Sequence, residues 1–363
     1  MASKIETLIR TVRGLTDDAR FASLEDPYGL LSFSERKLKA YRENPYLGDL
    51  DEPCQLIGVK DNKVVGRRNS FPGRFVADGK VYPNRISGSV FVDPKCRSSM
   101  YALRLLQQAL KLPGGDININ CYLSLQNQKF YRLLGSAMFR FRVFEAGGRW
   151  SAFYKRGAFA GWRRMAANII NMAVAFGNHV AGRRRWRSIP NWTVEEFDAD
   201  DNMMLCKCCD LVKSDKHRYR QEITPEWIRW TIRNDFYGEV CYKRIMVVCN
   251  GEELIGFALV RYGLATKVNR IYEWQVSSRY EDFEAEFLSL VAKQLYRFGF
   301  RVQIPIGEDN VESVERLNRR FSQSEGNYVV VTIAKGSKFE GFDGIKESRN
   351  WRVRPGMGDA ALW

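Results

Sequence analysis

The stretch VFVDPKCRSSMYALRLLQQAL, residues 90–110, has the residue types and spacing of a phosphate-binding turn. An alternating apolar strand ends in Asp-Pro, a short basic and serine-rich turn follows, and a helical pattern begins at once. The first N–H groups of a helix have no intrahelical acceptor and carry the positive end of the helix dipole, so they attract anions. We therefore expect this turn to hold a phosphate, with Arg97 adding charge-assisted hydrogen bonds. The backbone groups that would face the phosphate belong to Ser98, Ser99, Met100 and Tyr101.

A second region suited to anions lies between residues 146 and 194, which contain nine Lys and Arg residues and no Asp or Glu. The formal net charge of the chain is +15, so this one segment supplies more than half of it. Such a concentration favours a local anionic partner: nucleic acid (tRNA or DNA), a membrane surface, an acidic protein or a phosphorylated ligand. The arginines that we expect to contact nucleic acid or another anion are Arg163, Arg164, Arg183, Arg184, Arg185 and Arg187.

The elements that must position these residues alternate between helices and strands. The pattern predicts a helix over the first 25 residues, a second helix over 32–46, and a hairpin with strands at 54–60 and 63–68. A loop over 71–85 then leads to the strand before the turn. This order predicts an α/β layered domain. Further predicted elements are a strand at 118–125, a helix at 126–135 and a strand at 138–144.

The second half of the chain repeats this order of elements with little sequence identity, which predicts a structural duplication of one fold. Between the halves, an amphipathic basic helix would either pack across both domains or lie on a membrane surface. The predicted parts are an N-terminal domain at 1–156, a basic connector helix at 157–190, a C-terminal domain at 191–340 and a tail at 341–363.

The first half resembles the GNAT superfamily of N-acyltransferases. The resemblance rests on VDPKCRSSMYA at 92–102 and SLQNQKFYRLLG at 124–135. The first stretch is similar to the family's strand end and R-x-x-G-x-G/A turn, which binds the pyrophosphate of coenzyme A, and the second resembles the helix whose tyrosine protonates the departing thiolate. Tandem proteins of this kind include exopolysaccharide-locus and Fem-type transferases. The resemblance implies an α/β fold of two tandem GNAT-like domains, each a mixed twisted sheet flanked by helices.

The resemblance also implies roles for individual residues. Acyl-CoA would be the co-substrate, bound by Arg97 and the turn as far as Ala102, and Tyr131 would be the general acid. Met100 stands where the family has glycine, so its side chain must be directed away from the phosphates. For the general base we favour Glu273, because a carboxylate in the middle of a strand is costly to bury without a partner.

The corresponding turn of the second half, VSSRYEDFEAEF at 276–287, differs in charge. It contains Arg279, but three carboxylates follow at the start of the predicted helix. Their charge would repel a pyrophosphate, so we do not expect this copy to bind coenzyme A in the usual way. The three carboxylates are Glu281, Asp282 and Glu284.

Eight cysteines raise the question of a metal site. The cluster CKCC at 206–209, with His217 downstream, contains zinc-ligand residue types. No second cysteine pair follows it, as a zinc knuckle requires. We therefore expect packed helix cysteines and no metal cofactor.

Three functions remain open at this point. The favoured one is an N-acyltransferase that moves an acyl group, most simply acetyl, from acyl-CoA to an amine acceptor. The second is a Fem-like transferase that uses aminoacyl-tRNA, or an acyltransferase whose acceptor amine is carried by a nucleic acid. The third is a non-enzymatic nucleic-acid-binding module. Since no run of 18 apolar residues and no signal-peptide pattern occurs, we expect a cytoplasmic protein.

Overall fold

The computed structural model describes seven continuous ranges of the chain. The predicted connector at 157–190 lies outside them apart from a few isolated positions, as do its arginines Arg163, Arg164, Arg183, Arg184, Arg185 and Arg187. Within the described ranges, no helix is both long enough and apolar enough to cross a membrane. The ranges are 5–123, 128–146, 189–234, 241–263, 268–296, 301–307 and 321–354, with the isolated residues 166, 169, 173 and 317.

The first half contains six strands and five helices within the described residues. A serine caps the helix Glu35–Arg42 where the sequence predicts it: Ser34 accepts a hydrogen bond from the backbone N–H of Lys37. A 3-10 helix at Pro94–Ser99 connects the strand Lys80–Val92 to the helix Tyr101–Ala109. The elements are β1 Glu6–Thr11, α1 Gly14–Asp17, α2 Ala19–Ala22, α3 Glu35–Arg42, β2 Pro53–Lys60, β3 Lys63–Ala77, β4 Lys80–Val92, α4 Tyr101–Ala109, β5 Ile117–Leu123, α5 Gln128–Leu133 and β6 Ala137–Ala146.

The second half follows a similar order. Thr224 caps its second helix by accepting a hydrogen bond from the backbone of Trp227, and Pro225 occupies the first helical position, where its missing N–H costs nothing. A 3-10 helix at Ser278–Phe283 again joins a strand to a helix. The elements are β7 Trp192–Phe197, α6 Asn202–Lys213, β8 Tyr219–Gln221, α7 Pro225–Arg233, β9 Cys241–Asn250, β10 Glu253–Gly263, β11 Val268–Val276, α8 Glu284–Tyr296, β12 Arg301–Gly307 and β13 Ser322–Ile333.

Twelve strands form one continuous mixed sheet in the order β1-β2-β3-β4-β5-β13-β6-β12-β11-β10-β9-β7, and β8 pairs with the end of β3. The last strand of each half lies inside the sheet of the other half. β13 is hydrogen bonded between β5 and β6, while β6 is hydrogen bonded between β13 and β12. The predicted α/β fold of two tandem units is confirmed, and this reciprocal strand exchange joins them into a single sheet.

Two element predictions in the first half were wrong. The predicted helix over the first 25 residues is the strand β1 followed by the short helices α1 and α2. A run of four apolar residues is too short to distinguish a period of 3.6 from a period of 2. The predicted loop at 71–85 is instead a hairpin of β3 and β4 that turns at Asp78 and Gly79. Its prolines are tolerated because Pro72 lies beyond the point where β2 stops pairing and Pro83 precedes the pairing with β5.

Candidate functional site

The parallel strands β4 and β5 separate shortly after they meet. They pair only from Arg85 opposite Asn118 to Ser87 opposite Asn120. Beyond that point β4 continues beside β3 as far as Val92, while β5 continues beside β13. The two carboxyl ends therefore diverge, and we call the wedge beyond Ser87 and Asn120 the first cleft.

A β-bulge borders the first cleft. Phe91 of β4 pairs with Arg67 of β3, but Gly88 pairs with Asn69, so two residues of β4 lie opposite one residue of β3. A bulge of this kind interrupts the ladder and leaves backbone groups without a strand partner. The bulge therefore frees main-chain polar groups of β4 next to the first cleft.

The predicted phosphate turn lies at the end of β4. Met100 adopts a left-handed conformation, with φ 55° and ψ 24°, between the 3-10 helix and α4. The first bonds of α4 run from the N–H groups of Leu103 and Arg104 to the Met100 carbonyl, at 3.0 and 3.2 Å. The N–H groups of Tyr101 and Ala102 precede these bonds and have no intrahelical acceptor. Of the predicted turn residues, Tyr101 and Ala102 lie at the start of α4, whereas Ser98 and Ser99 belong to the preceding 3-10 helix.

Met100 occupies a conformation that glycine adopts more easily. A side chain in the left-handed region costs about 1 kcal/mol. The Met100 side chain is 45% exposed, so it extends into solvent instead of packing in the interior. The turn therefore has, at Met100, a backbone conformation that a glycine would adopt without this cost.

Arg97 and Tyr101 have different roles in this turn. The Arg97 side chain is exposed, and its Nε donates to the Val92 carbonyl at 3.2 Å, which holds the guanidinium beside the end of β4. The Tyr101 side chain is buried, and its hydroxyl lies 2.7 Å from Thr7 Oγ1. Its ring packs against Gly58, where a Cβ atom would overlap it. Tyr101 therefore anchors the start of α4, while Arg97 remains accessible to a ligand.

Tyr131 of α5 is buried beside Asn120, the last residue of β5 that pairs with β4. Its hydroxyl oxygen accepts hydrogen bonds from Arg68 Nη1, at 3.3 Å, and from Asn120 Nδ2. A phenol has one hydrogen to donate and two lone pairs to accept with. Because both donors use the lone pairs, the Tyr131 hydrogen is left to be donated to a third group, as a general acid requires.

A second cleft with the same construction occurs in the second half. The parallel strands β11 and β12 pair only as far as Arg270 opposite Gln303. A register shift between Ile271 and Glu273 then places a bulge in β11. We call the wedge beyond Arg270 and Gln303 the second cleft.

The chain's own C-terminal segment, residues 351–354, lies against β11 at the second cleft. The Arg352 side chain is fully buried there, and its Nε donates to Gln275 Oε1 at 2.9 Å. Its Nη2 donates to Glu273 Oε1 at 2.5 Å and to the backbone carbonyl of Trp274. Asp215 supplies a second carboxylate at 3.1 Å from Arg352 Nε.

Glu273 is therefore part of a buried ion-pair network. Burial raises the pKa of Glu273, and the charges of Arg352 and Arg354 oppose this shift. Four strand spacings of about 4.8 Å separate β5 from β11, so Glu273 lies roughly 19 Å from the strand beneath Tyr131. The structure does not bring the two predicted catalytic residues into one site, and the partner Arg352 accounts for the burial of Glu273.

The turn after β11 is acidic, as its sequence indicates. Glu281 forms an ion pair with Lys216, with an N···O distance of 2.7 Å, and Arg279 forms one with Glu253, at 3.1 Å. Glu284, at the start of α8, accepts a hydrogen bond from Trp274 Nε1 at 2.7 Å. A pyrophosphate in this position would meet carboxylates instead of a free arginine.

The cysteine cluster on α6 faces the protein core. Cys208 and Cys209 are buried among apolar side chains, whereas Cys206 is exposed on the other side of the helix. Burial raises the pKa of Cys209 to about 12, which favours the thiol over the thiolate that a metal requires. In the part of the chain that the structure describes, no three His, Cys, Asp or Glu side chains are grouped as metal ligands.

Sequence reasoning missed the polar residues beneath Tyr131. Arg68 is 1% exposed and donates from Nη2 to Asn118 Oδ1 at 3.2 Å. Asn118 and Asn120 alternate with isoleucine in β5, and Arg68 lies in the polar run RRNS of β3. Polar residues on the buried face of a strand are uncommon, so this alternation was the available signal.

A groove of about 850 Å³ runs along α4 and the end of α5 to the end of β13. Its lining includes the basic side chains Arg104, Lys111 and Lys335 and the acidic side chain Glu6. The groove shares Tyr101 with the phosphate turn, so a ligand with an extended anionic part could continue along α4.

No protein-family model matches the sequence, and comparison with curated proteins finds no match. Solved structures do match. A conserved protein of unknown function from Enterococcus faecalis, described as a probable N-acyltransferase, has a TM-score of 0.56 at 11% identity, over 93% of this chain and 74% of that one. A GCN5-related N-acetyltransferase from Anabaena variabilis has a TM-score of 0.53 at 11% identity, over 90% and 72%.

The N-myristoyltransferase of Saccharomyces cerevisiae, with bound myristoyl-CoA and inhibitors, has a TM-score of 0.50 at 12% identity, over 92% of this chain and 81% of that one. At such identities a likeness establishes the fold and not the activity. Each match covers at least 90% of this chain and therefore extends over both halves. The chain therefore has the fold of the GNAT N-acyltransferases, built twice in tandem with the final strands exchanged.

Proposed function

We propose that this protein is an N-acyltransferase that takes an acyl group from acyl-CoA at the first cleft and transfers it to an amine. The observation that carries the proposal is the arrangement of three features at one place. A helix start with free N–H groups, an accessible arginine and a hydroxyl with a donatable hydrogen all surround the same diverging strand pair. The first two suit a pyrophosphate, and the third suits a leaving thiolate.

In the proposed reaction the acceptor nitrogen attacks the thioester carbonyl carbon, and an amide bond replaces the carbon–sulfur bond. Main-chain groups at the bulge of β4 would stabilise the oxyanion. Tyr131 would give its proton to the departing sulfur, and the nitrogen would lose its proton to solvent or to a base on the substrate side. The phenolate left behind would be stabilised by the Arg68 guanidinium and the Asn120 amide, which already donate to it.

We assign donor binding to the first half alone. In the second half, residues 351–354 make contacts at the corresponding cleft, and the helix start carries Glu281 and Glu284. Arg279, which corresponds to Arg97, is already paired with Glu253. One acyl-CoA site per chain follows from this difference.

Calorimetric titration with acetyl-CoA tests the proposal, with Arg97→Ala and Arg279→Ala as a matched pair. We expect one site per chain in the wild type. Loss of the charge-assisted contact in Arg97→Ala should weaken binding roughly tenfold or more, whereas Arg279→Ala should bind like the wild type. Absence of acetyl-CoA binding, together with steeply salt-dependent binding of bulk tRNA, would reject the acyl-CoA donor in favour of an aminoacyl-tRNA donor.

A further inference from the structure

Five arginine side chains in the described ranges are buried, and the three that are at most 2% exposed differ in how their charge is compensated. Arg85 of β4 contacts Glu52 and donates to the carbonyls of Pro113 and Pro53, at 2.6 and 2.8 Å. Arg352 contacts two carboxylates. Arg68 has only neutral partners in the described part of the chain, Asn118 and Tyr131. A buried guanidinium without an anion is costly, so an anion from outside the described residues would complete the site.

The groups around Arg68 indicate what kind of anion would fit. Several fully buried polar atoms on this face of the sheet have no hydrogen-bond partner among the described residues. All of them can donate a hydrogen bond, and Asn118 must present its amide nitrogen because its oxygen already accepts from Arg68. A cluster of unused donors around a cation calls for a group that only accepts. The atoms are Arg68 Nε, Ser70 Oγ, Ser87 Oγ and Asn118 Nδ2.

The strand register places these donors together at the base of the first cleft. Ser70 pairs with Ser87 across β3 and β4, and Ser87 pairs with Asn120 across β4 and β5. Directly paired residues have Cβ atoms about 4.5–5.5 Å apart on the same face. Since Asn120 also contacts the Tyr131 hydroxyl, the cluster adjoins the position proposed for the thioester.

We propose that Arg68, with Ser70, Ser87 and Asn118, binds a carboxylate of the substrate, an inference that rests on the acyltransferase function proposed above. A carboxylate is planar, accepts hydrogen bonds only and matches the forked donors of a guanidinium. Two parts of the substrate could bring it. The acyl chain of a dicarboxylic acyl-CoA would carry it beyond the thioester, or the acceptor amine would carry it, as an amino acid does.

Two experimental arms distinguish these sources. In the first, the affinities of succinyl-CoA and acetyl-CoA are compared by calorimetry. In the second, release of coenzyme A from acetyl-CoA is measured with amino acids and with the corresponding amino acid amides as acceptors. We expect a preference of about tenfold or more for the carboxylate-bearing member in one arm, since a hydrogen-bonded charge in a buried site discriminates strongly.

Variants of the cluster residues test whether these side chains cause the preference for a carboxylate-bearing substrate. Arg68→Met should abolish the preference, and Ser87→Ala should reduce it with little effect on folding. Arg67→Met is the matched control, because Arg67 is the preceding residue of β3 and its side chain donates instead to the Leu30 carbonyl, at 2.9 Å. It should leave the preference intact. The quantity compared is a ratio: the affinity for succinyl-CoA over that for acetyl-CoA, or the rate with an amino acid over that with its amide. A ratio is needed because Arg68→Met also removes a contact to Tyr131 and lowers turnover with every substrate.

The proposal is overturned if neither arm shows a preference, or if the preference survives Arg68→Met. If acetyl-CoA binds and its acyl group is transferred to amides as readily as to amino acids, and succinyl-CoA binds no better than acetyl-CoA, only the carboxylate inference fails. If no acyl-CoA binds at all, the proposed function fails as well.

Discussion

The two clefts of this protein share one construction and differ in what they contain. In both, a parallel strand pair separates beside a bulge and a helix follows the first strand. In the first cleft, the buried Arg68 has only neutral partners among the residues that the structure describes. In the second cleft, the buried arginine is Arg352 of the C-terminal segment, and it forms ion pairs with Asp215 and Glu273. The same strand arrangement thus forms a candidate binding site in the first half. In the second half it holds the C-terminal segment through a buried ion-pair network.

This difference in charge compensation should affect the free energy of unfolding. Removing one partner of a buried ion pair leaves an uncompensated charge, whereas removing a charge that has no partner relieves a cost. The two arginines should therefore respond to the same substitution in opposite ways. The buried arginine of the first half would then serve ligand binding, and the buried arginine of the second half would serve the stability of the fold.

The largest predicted effect is the contrast between Arg352→Met and Arg68→Met in stability. Arg352→Met leaves Glu273 and Asp215 buried without the cation that contacts both of them, so we expect a loss of about 3–5 kcal/mol in the free energy of unfolding. Arg68→Met should change that free energy by less than about 1 kcal/mol, or raise it. Urea denaturation of both variants measures the difference. Equal losses would mean that Arg68 is compensated within the folded chain, which removes the basis for the contrast.

The next effect concerns Tyr131, which has a hydrogen to donate in the first cleft. Tyr131→Phe removes the proton donor but keeps the ring, so kcat should fall by about 10²–10⁴-fold while the Kd of acetyl-CoA stays within a fewfold. Tyr272 of β11, a buried tyrosine at the second cleft, supplies the control. Tyr272→Phe should leave kcat near the wild-type value. A kcat that Tyr131→Phe does not change would exclude Tyr131 as the general acid.

A smaller effect is expected in the pH dependence of stability. Burial disfavours the ionised form of Asp215, but the hydrogen bond with His217 and the charge of Arg352 outweigh it and lower the pKa of that carboxyl. Below about pH 4 the unfolded chain takes up a proton at Asp215 while the folded chain does not, so stability falls with falling pH. The contribution approaches about 1.4 kcal/mol per pH unit.

Asp215→Asn should make this acid decline shallower, as measured by urea denaturation between about pH 4 and pH 2. Titration of Glu273 does not contribute to this difference between the wild type and Asp215→Asn. Its pKa is raised in the folded state, so below about pH 4 it is protonated in both states. An unchanged slope in Asp215→Asn would show that the network does not hold Asp215 ionised.

The smallest effect is expected at Met100. Met100→Gly relieves the left-handed backbone but adds freedom to the unfolded chain, so the two terms largely cancel and stability should change by less than about 1 kcal/mol. Acetyl-CoA affinity should stay equal or rise, because the backbone can approach the phosphates more closely. Thermal unfolding and calorimetry measure the two quantities. A clear loss of affinity would mean that the Met100 side chain itself contacts the donor.

Local sequence patterns predicted those parts of the fold that depend on short-range physics. The turn at Pro94–Ser99, the capped helix α3 and the hairpin of β2 and β3 all occur where the residues indicate. The strand exchange could not be predicted, because the pairing of β13 with β5 and β6 joins residues about 200 positions apart in sequence. Likewise Glu273 was recognisable as a costly buried carboxylate, but its partner Arg352 lies 79 residues away.

Hydrogen–deuterium exchange with and without acetyl-CoA would test most directly the claim that one cleft binds the donor and the other does not. We predict that acetyl-CoA slows exchange at residues 86–104, which contain the end of β4, the phosphate turn and the start of α4. Residues 270–287, which contain the second cleft and its turn, should exchange at an unchanged rate. Protection of 270–287, alone or together with 86–104, would contradict the assignment of the donor site to the first half.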